Sequence, residues 1–246
     1  MAMRNRILAC LLMLLAPHIV FASADITAED WTRSGFGSPQ IHSLRAEELC
    51  SDCKDADYAL DMDVVLLRKS GWTEEEFLPM LRETAKIYSQ CSVRIDRVEL
   101  ALADPPQGRT EWGKYKDEGG ATVADLRRAV PVQGRLAVFL LGTFSDNTES
   151  TGFSSADWRN SKDTRPPLFN TVFLSTASFI EEYRQERVSN PYNLLAHEML
   201  HVLTRQGSHF NLPELNLLNI WKTRTNMILP QHCAWVQESP LLRKLR

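Results

Sequence analysis

His197, Glu198 and His201 stand in the run His197-Glu198-Met199-Leu200-His201. On a helix, residues four apart share a face one turn from each other, so both imidazoles can reach one ion. Glu198 is offset by a single position, which places its carboxylate beside such an ion instead of on it. A base that takes a proton from a polarised water must stand there. The competing reading is a pair of surface histidines on an amphipathic helix. Leu194, Leu195, Val202 and Leu203 make this segment apolar around much of its circumference, which a surface helix is not.

A catalytic zinc ion takes three protein ligands and keeps one position open for water. Two come from the helix; His209, Glu214 and His232 are the downstream candidates for the third. His209 follows Gly207-Ser208, and Gly207 suits a left-handed turn that ends a helix and swings the chain back. Glu214 would serve if the chain ran on into another helix. His232 is followed at once by Cys233, for which a disulfide is expected. His209 is the preferred third ligand.

Several elements must position these groups. Asn190 and Pro191 read as N-cap and first residue of the histidine helix, which extends to about Arg205. A strand is expected around Val64–Leu67 within residues 59–69. A helix follows, capped by Thr73 with Glu76 completing a capping box, and carrying Phe77, Leu81, Ala85 and Tyr88 at helical spacing up to Gln90. Val93–Leu102 alternates as a second strand; Leu136–Leu141 and Thr171–Leu174 are continuous apolar runs typical of buried strands. Residues 104–118 form a Pro- and Gly-bearing loop, Thr122–Ala129 one or two helical turns. Gly152, Phe153 and Ser154 open a short segment that reads either as an edge strand or as a polar loop. The result is a mixed sheet with helices on it, α+β or α/β in class.

The surrounding chain sets limits on function. Of 246 residues, 43% are hydrophobic and 24% charged, which excludes a disordered or collagen-like chain. The formal net charge of −3 excludes a dominant nucleic-acid footprint. Residues 1–24 read as a signal peptide. Arg4 and Arg6 precede the apolar run Ile7–Leu15, which is too short to span a bilayer, and Ala22-Ser23-Ala24 offers a small-x-small cleavage pattern. No later segment reaches the length of a span, so the mature protein is expected to be exported, periplasmic or secreted, without stable membrane insertion. Export makes Cys50, Cys53, Cys91 and Cys233 candidates for two disulfides, with three pairings open. A thiolate from Cys50 or Cys53 blocking the open metal position is the competing use of that pair. Residues 25–58 are polar and weakly patterned and read as an extended leader on the surface. The terminal Leu241–Arg246 reads as a solvated basic tail. Oligomeric state is not legible.

The His197-Glu198-x-x-His201 helix, the downstream Gly207 and His209, and Asn226-Met227 together resemble the metzincin zinc proteases over about residues 59–246. The resemblance implies an α+β catalytic domain, with a mixed twisted sheet, an active-site helix and a small C-terminal subdomain. It implies one catalytic zinc on His197, His201 and His209, and makes Met227 the methionine of a turn beneath the metal. Pro230–Glu238 becomes the closing helix. The spacing departs from the family: the glycine and third histidine are expected three and six residues after His201, where Thr204 and Gly207 stand. His209 lies two residues further on, as if the helix ran longer before turning.

The implied activity is peptide-bond hydrolysis, with Glu198 as general base. A peptide or protein substrate would add a strand along the Gly152–Ala156 edge. Three rivals belong to other classes: a gluzincin-type zinc hydrolase using Glu214, a non-catalytic exported zinc-binding protein, and a purely structural secreted domain.

Overall fold

The structure, a computed structural model, describes residues 28–53, 55–114, 121–130, 135–145, 152–155, 168–176, 193–206, 217 and 226–245. The expected signal peptide of residues 1–24, the expected cap at Asn190 and Pro191, and Gly207, His209 and Glu214 lie outside the described residues.

The sheet grows outward from β2 (Tyr58–Leu67), which pairs in parallel with β3 (Val93–Ala103) on one side and β5 (Leu136–Leu141) on the other. A strand flanked on both sides and covered on both faces must be apolar throughout, and nearly every residue of β2 and β5 is buried. β8 (Thr171–Ser175) extends the parallel set beyond β5. The two outer strands run antiparallel: β1 (Gln40–Arg45) on β3, and β7 (Gly152–Ser155) on β8. The order is β1-β3-β2-β5-β8-β7, a mixed sheet of an α+β chain. A separate two-stranded pair, β4 (Glu111–Trp112) with β6 (Thr143–Phe144), follows the end of β5.

Alternation along the strands divides the core in two. Met62, Val64, Leu66, Val138, Val172 and Leu174 face α3 (Glu74–Ser89) and α5 (Leu194–Thr204). Val65, Leu67, Phe139 and Phe173 face α4 (Val123–Ala129) together with Trp31 of α1 (Ala28–Arg33). The cap expected at Thr73 is present, accepting from the Glu76 amide at 3.2 Å, and the turns expected at Thr122–Ala129 begin with a capping box of Thr122 and Asp125.

Two expectations change. The leader is not a surface strap. Its residues 40–45 are the edge strand β1, followed by α2 (Ala46–Leu49), and Trp31, Phe36 and Leu49 are buried. The C-terminal tail is not simply solvated. β9 (Leu242–Lys244) pairs antiparallel with Tyr58–Leu60, the start of β2 that β5 leaves uncovered, and Arg243 donates to Asp96 at 2.7 Å. The two expected disulfides are present, and of the three open pairings Cys50 is joined to Cys53 and Cys91 to Cys233. Neither sulfur of the first pair is a thiolate able to block a metal. Among the described residues no helix is long and apolar enough to cross a membrane.

Candidate functional site

All eleven residues of α5, including His197, Glu198 and His201, are buried, which removes the surface-helix reading. Its N-cap is Asn193, three residues beyond the expected one. The Asn193 side-chain oxygen accepts from the Ala196 amide at 3.0 Å, and its amide group donates to the Met80 carbonyl at 2.8 Å. Thr84 donates to the same Asn193 oxygen at 3.1 Å, and the buried Tyr88 hydroxyl donates to the Ala196 carbonyl at 2.9 Å. α3 thus holds the first turn of the histidine helix through three polar side chains inside an apolar interface. An N-cap is worth about 1 kcal/mol and each such hydrogen bond about as much.

The helix ends at Arg205, which takes the left-handed conformation (φ 55°, ψ 33°) expected of a glycine two residues later. A non-glycine residue there costs of the order of 1 kcal/mol. The turn brings the Gln206 carbonyl to His201, whose Nδ1 lies 2.6 Å from it. His197 Nδ1 lies 2.7 Å from the Leu217 carbonyl. A carbonyl oxygen only accepts, so both Nδ1 atoms carry protons, and each ring when neutral presents its lone pair at Nε2. Those two Nε2 atoms face each other at 3.2 Å. Two lone pairs that close repel unless a proton or a cation lies between them. Zinc–imidazole bonds of about 2.0–2.1 Å put neighbouring tetrahedral ligands about 3.4 Å apart, so the spacing fits one shared ion.

Leu217 links this pair to the chain beyond. Its amide donates to the Met227 carbonyl at 2.8 Å while its carbonyl holds His197. The Met227 side chain itself is 43% exposed, so the connection of this residue to the site runs through its backbone. The turn around it is fixed by Asn226, whose side-chain oxygen accepts from the Asn193 amide at 3.0 Å. Gln90 of α3 reaches across to bond the Asn226 carbonyl at 2.9 Å and the Ile228 amide at 3.3 Å. The next helix, α6 (Pro230–Gln237), is tied to the end of α3 by the Cys91–Cys233 disulfide.

Among the described residues, no third His, Cys, Asp or Glu joins His197 and His201 as a metal-binding group. This removes His232 as the third ligand. It lies on α6 with its ring wholly buried beside Trp235, and burial pushes its pKa down.

Glu198 meets a different environment. Burial raises its pKa, opposed by the charge of His201, by a hydrogen bond from Ser154 and by the ammonium of Lys114. Ser154 Oγ donates to Glu198 Oε2 at 2.7 Å. Gly152 lies so close that a Cβ there would stand 2.9 Å from the Glu198 Cγ and Cδ and closer still to Oε1. The Gly152–Ser155 segment is an edge strand, and its first residue and Ser154 touch the acid. Lys114 is buried with its ammonium 4.5 Å above the Phe144 ring. A lone lysine in a Pro- and Gly-bearing loop carries no local signal for this, and sequence reasoning missed it. It missed Asn193, Tyr88 and the carbonyls of Gln206 and Leu217 for the same reason.

No protein-family model matches the chain, and no curated protein matches it significantly in sequence. Among solved structures, it is similar to metalloproteinase-II from Bacteroides fragilis, with a TM-score of 0.49 and 17% identity over 75% of this chain and 54% of that one. The chain therefore spans about half the length of that protein.

Proposed function

We propose that the chain is an exported zinc metallopeptidase with His197 and His201 as two ligands and Glu198 as general base. The observation that carries this reading is the pair of facing Nε2 atoms, 3.2 Å apart, each ring held by a carbonyl on its Nδ1. A spacing of that size suits two imidazole ligands of one shared ion. His209 is the proposed third ligand, with Glu214 as the alternative that would make the site gluzincin-like.

Bound zinc supplies Lewis acidity, polarising a peptide carbonyl and making a water molecule more acidic. The chain's own groups do the rest. Leu217 and Gln206 hold the two imidazoles in the tautomer that exposes Nε2. Glu198 takes a proton from the attacking water and returns it to the leaving amine. Burial raises its proton affinity, while His201 and Lys114 keep that rise in check. An extended substrate would pair with β7, the last strand in the sheet order.

Metal analysis of the purified protein, paired with cleavage of casein with and without a chelator, tests the proposal. About one zinc per chain and chelator-sensitive cleavage are expected. Absence of zinc refutes it, and zinc without cleavage favours a binding protein. Comparing zinc content in His209→Ala and Glu214→Ala identifies the third ligand.

A further inference from the structure

Strands alternate faces, and the register of β7 against β8 decides which face each residue takes. Gly152 stands opposite Leu174 and Ser154 opposite Val172, and both partners belong to the core that packs on α5. Gly152 and Ser154 therefore face the histidine helix, while Ser155 alternates away from it. Two features of that face converge on one carboxylate. The Ser154 hydroxyl gives its only proton to Glu198 Oε2 at 2.7 Å. At Gly152 the missing side chain leaves the space that the other half of Glu198 fills.

A hydroxyl with its proton committed in this way cannot also donate to a substrate. The expected substrate-binding role of Ser154 is thus displaced by another. Resting on the metallopeptidase reading, we propose that β7 positions the general base: Ser154 fixes the rotation of the Glu198 carboxylate, and Gly152 supplies the room it occupies. The two edges of the site are then divided. The face of β7 sets the acid, and its backbone is left to align an extended peptide. Without Ser154 the carboxylate rotates about its last torsion, and its oxygens point at the attacking water for only part of the time. Both are positioning residues, acting through Glu198 and not on the peptide.

The experiment uses the zinc-loaded full chain with an internally quenched peptide, comparing wild type, S154A, S154T, G152A, E198A and, as a control on the opposite edge strand β1, S43A. S154A is expected to lose about ten- to a hundredfold in kcat, with KM and zinc content unchanged. S154T keeps a hydroxyl and recovers most of the loss, and S43A behaves as wild type. G152A loses kcat similarly with zinc retained, because its methyl displaces the carboxylate. An independent readout needs no turnover: the Glu198 carboxylate band, isolated in metal-free protein by infrared difference against E198Q, shifts in S154A and not in S43A. A raised KM at unchanged kcat in S154A, or an unmoved band, overturns the inference. A zinc-free wild type, or an E198A as active as wild type, instead overturns the reading beneath it.

Discussion

Two carboxyl groups are buried on opposite sides of one sheet, and their surroundings separate the proposed base from a structural acid. Glu198 lies on the α5 side, accepts a hydroxyl proton from Ser154 and faces an imidazole and a more distant ammonium. Asp63 lies in the middle of β2 on the α4 side, with Arg135 at 3.4 Å; the charges of Arg135, Arg127 and Arg97 favour its ionised form and that of Glu99 opposes it. Burial raises both pKa values, that of Asp63 to about 6. Burial of an acid therefore does not by itself mark a working site. Beside Glu198 stand two histidine Nε2 atoms 3.2 Å apart; beside Asp63 the cations are already built in.

Substitutions can break that contrast. The largest effect is expected from Glu198→Gln, which should lower kcat/KM by about 10²- to 10⁴-fold with zinc retained and melting temperature not reduced. Equal activity in the variant would erase the distinction between the two acids. Asp63→Asn should do the opposite, leaving peptide cleavage unchanged and raising stability. The sign follows from proton linkage. The folded pKa of about 6 lies above the usual 3.8, so the folded state holds more protons between those values. Stability contributed by Asp63 falls as pH climbs from about 4 to 6 and stays low above. At pH 7 the Asn variant should gain up to about 3 kcal/mol, and the gain should vanish near pH 3. Urea unfolding at both pH values measures it.

A smaller effect is expected at the partner. Arg135→Met should destabilise by about 1–3 kcal/mol at pH 7, because an ionised Asp63 loses its nearest cation. Adding Asp63→Asn should restore most of that. Smallest is Tyr88→Phe, which removes the hydroxyl on the Ala196 carbonyl and should cost about 1 kcal/mol while sparing the zinc stoichiometry.

What could be read in advance follows the range of the forces involved. Leu136–Leu141, Thr171–Leu174 and the Phe77–Tyr88 stripe declare themselves because their patterns are local, and β5, β8 and α3 lie where those patterns stand. The same holds for the two histidines and the acid of α5. The start of α5 was misplaced by three residues, since Asn190-Pro191 is a good local cap. Asn193 wins because its amide also reaches Met80, a partner 113 positions away. The left-handed residue was placed at the glycine for the same local reason. Arg205 takes it instead, and the turn brings the Gln206 carbonyl onto His201. Ser154 was read as a substrate contact, because only the register of β7 on β8 shows that it faces Glu198. β1 escaped notice because an edge strand with one exposed face needs little apolar pattern.

The Cys91–Cys233 bond has one more consequence, a topological one. Its two ends are 142 positions apart and enclose β3, β5, β7, β8 and the whole of α5 within a covalent ring. A single backbone cut anywhere inside that ring, by another protease or by a neighbouring copy of this chain, opens the ring but releases nothing. Nicked molecules would keep both histidines attached to the rest of the chain. They would run as one species on a non-reducing gel and as two on a reducing one.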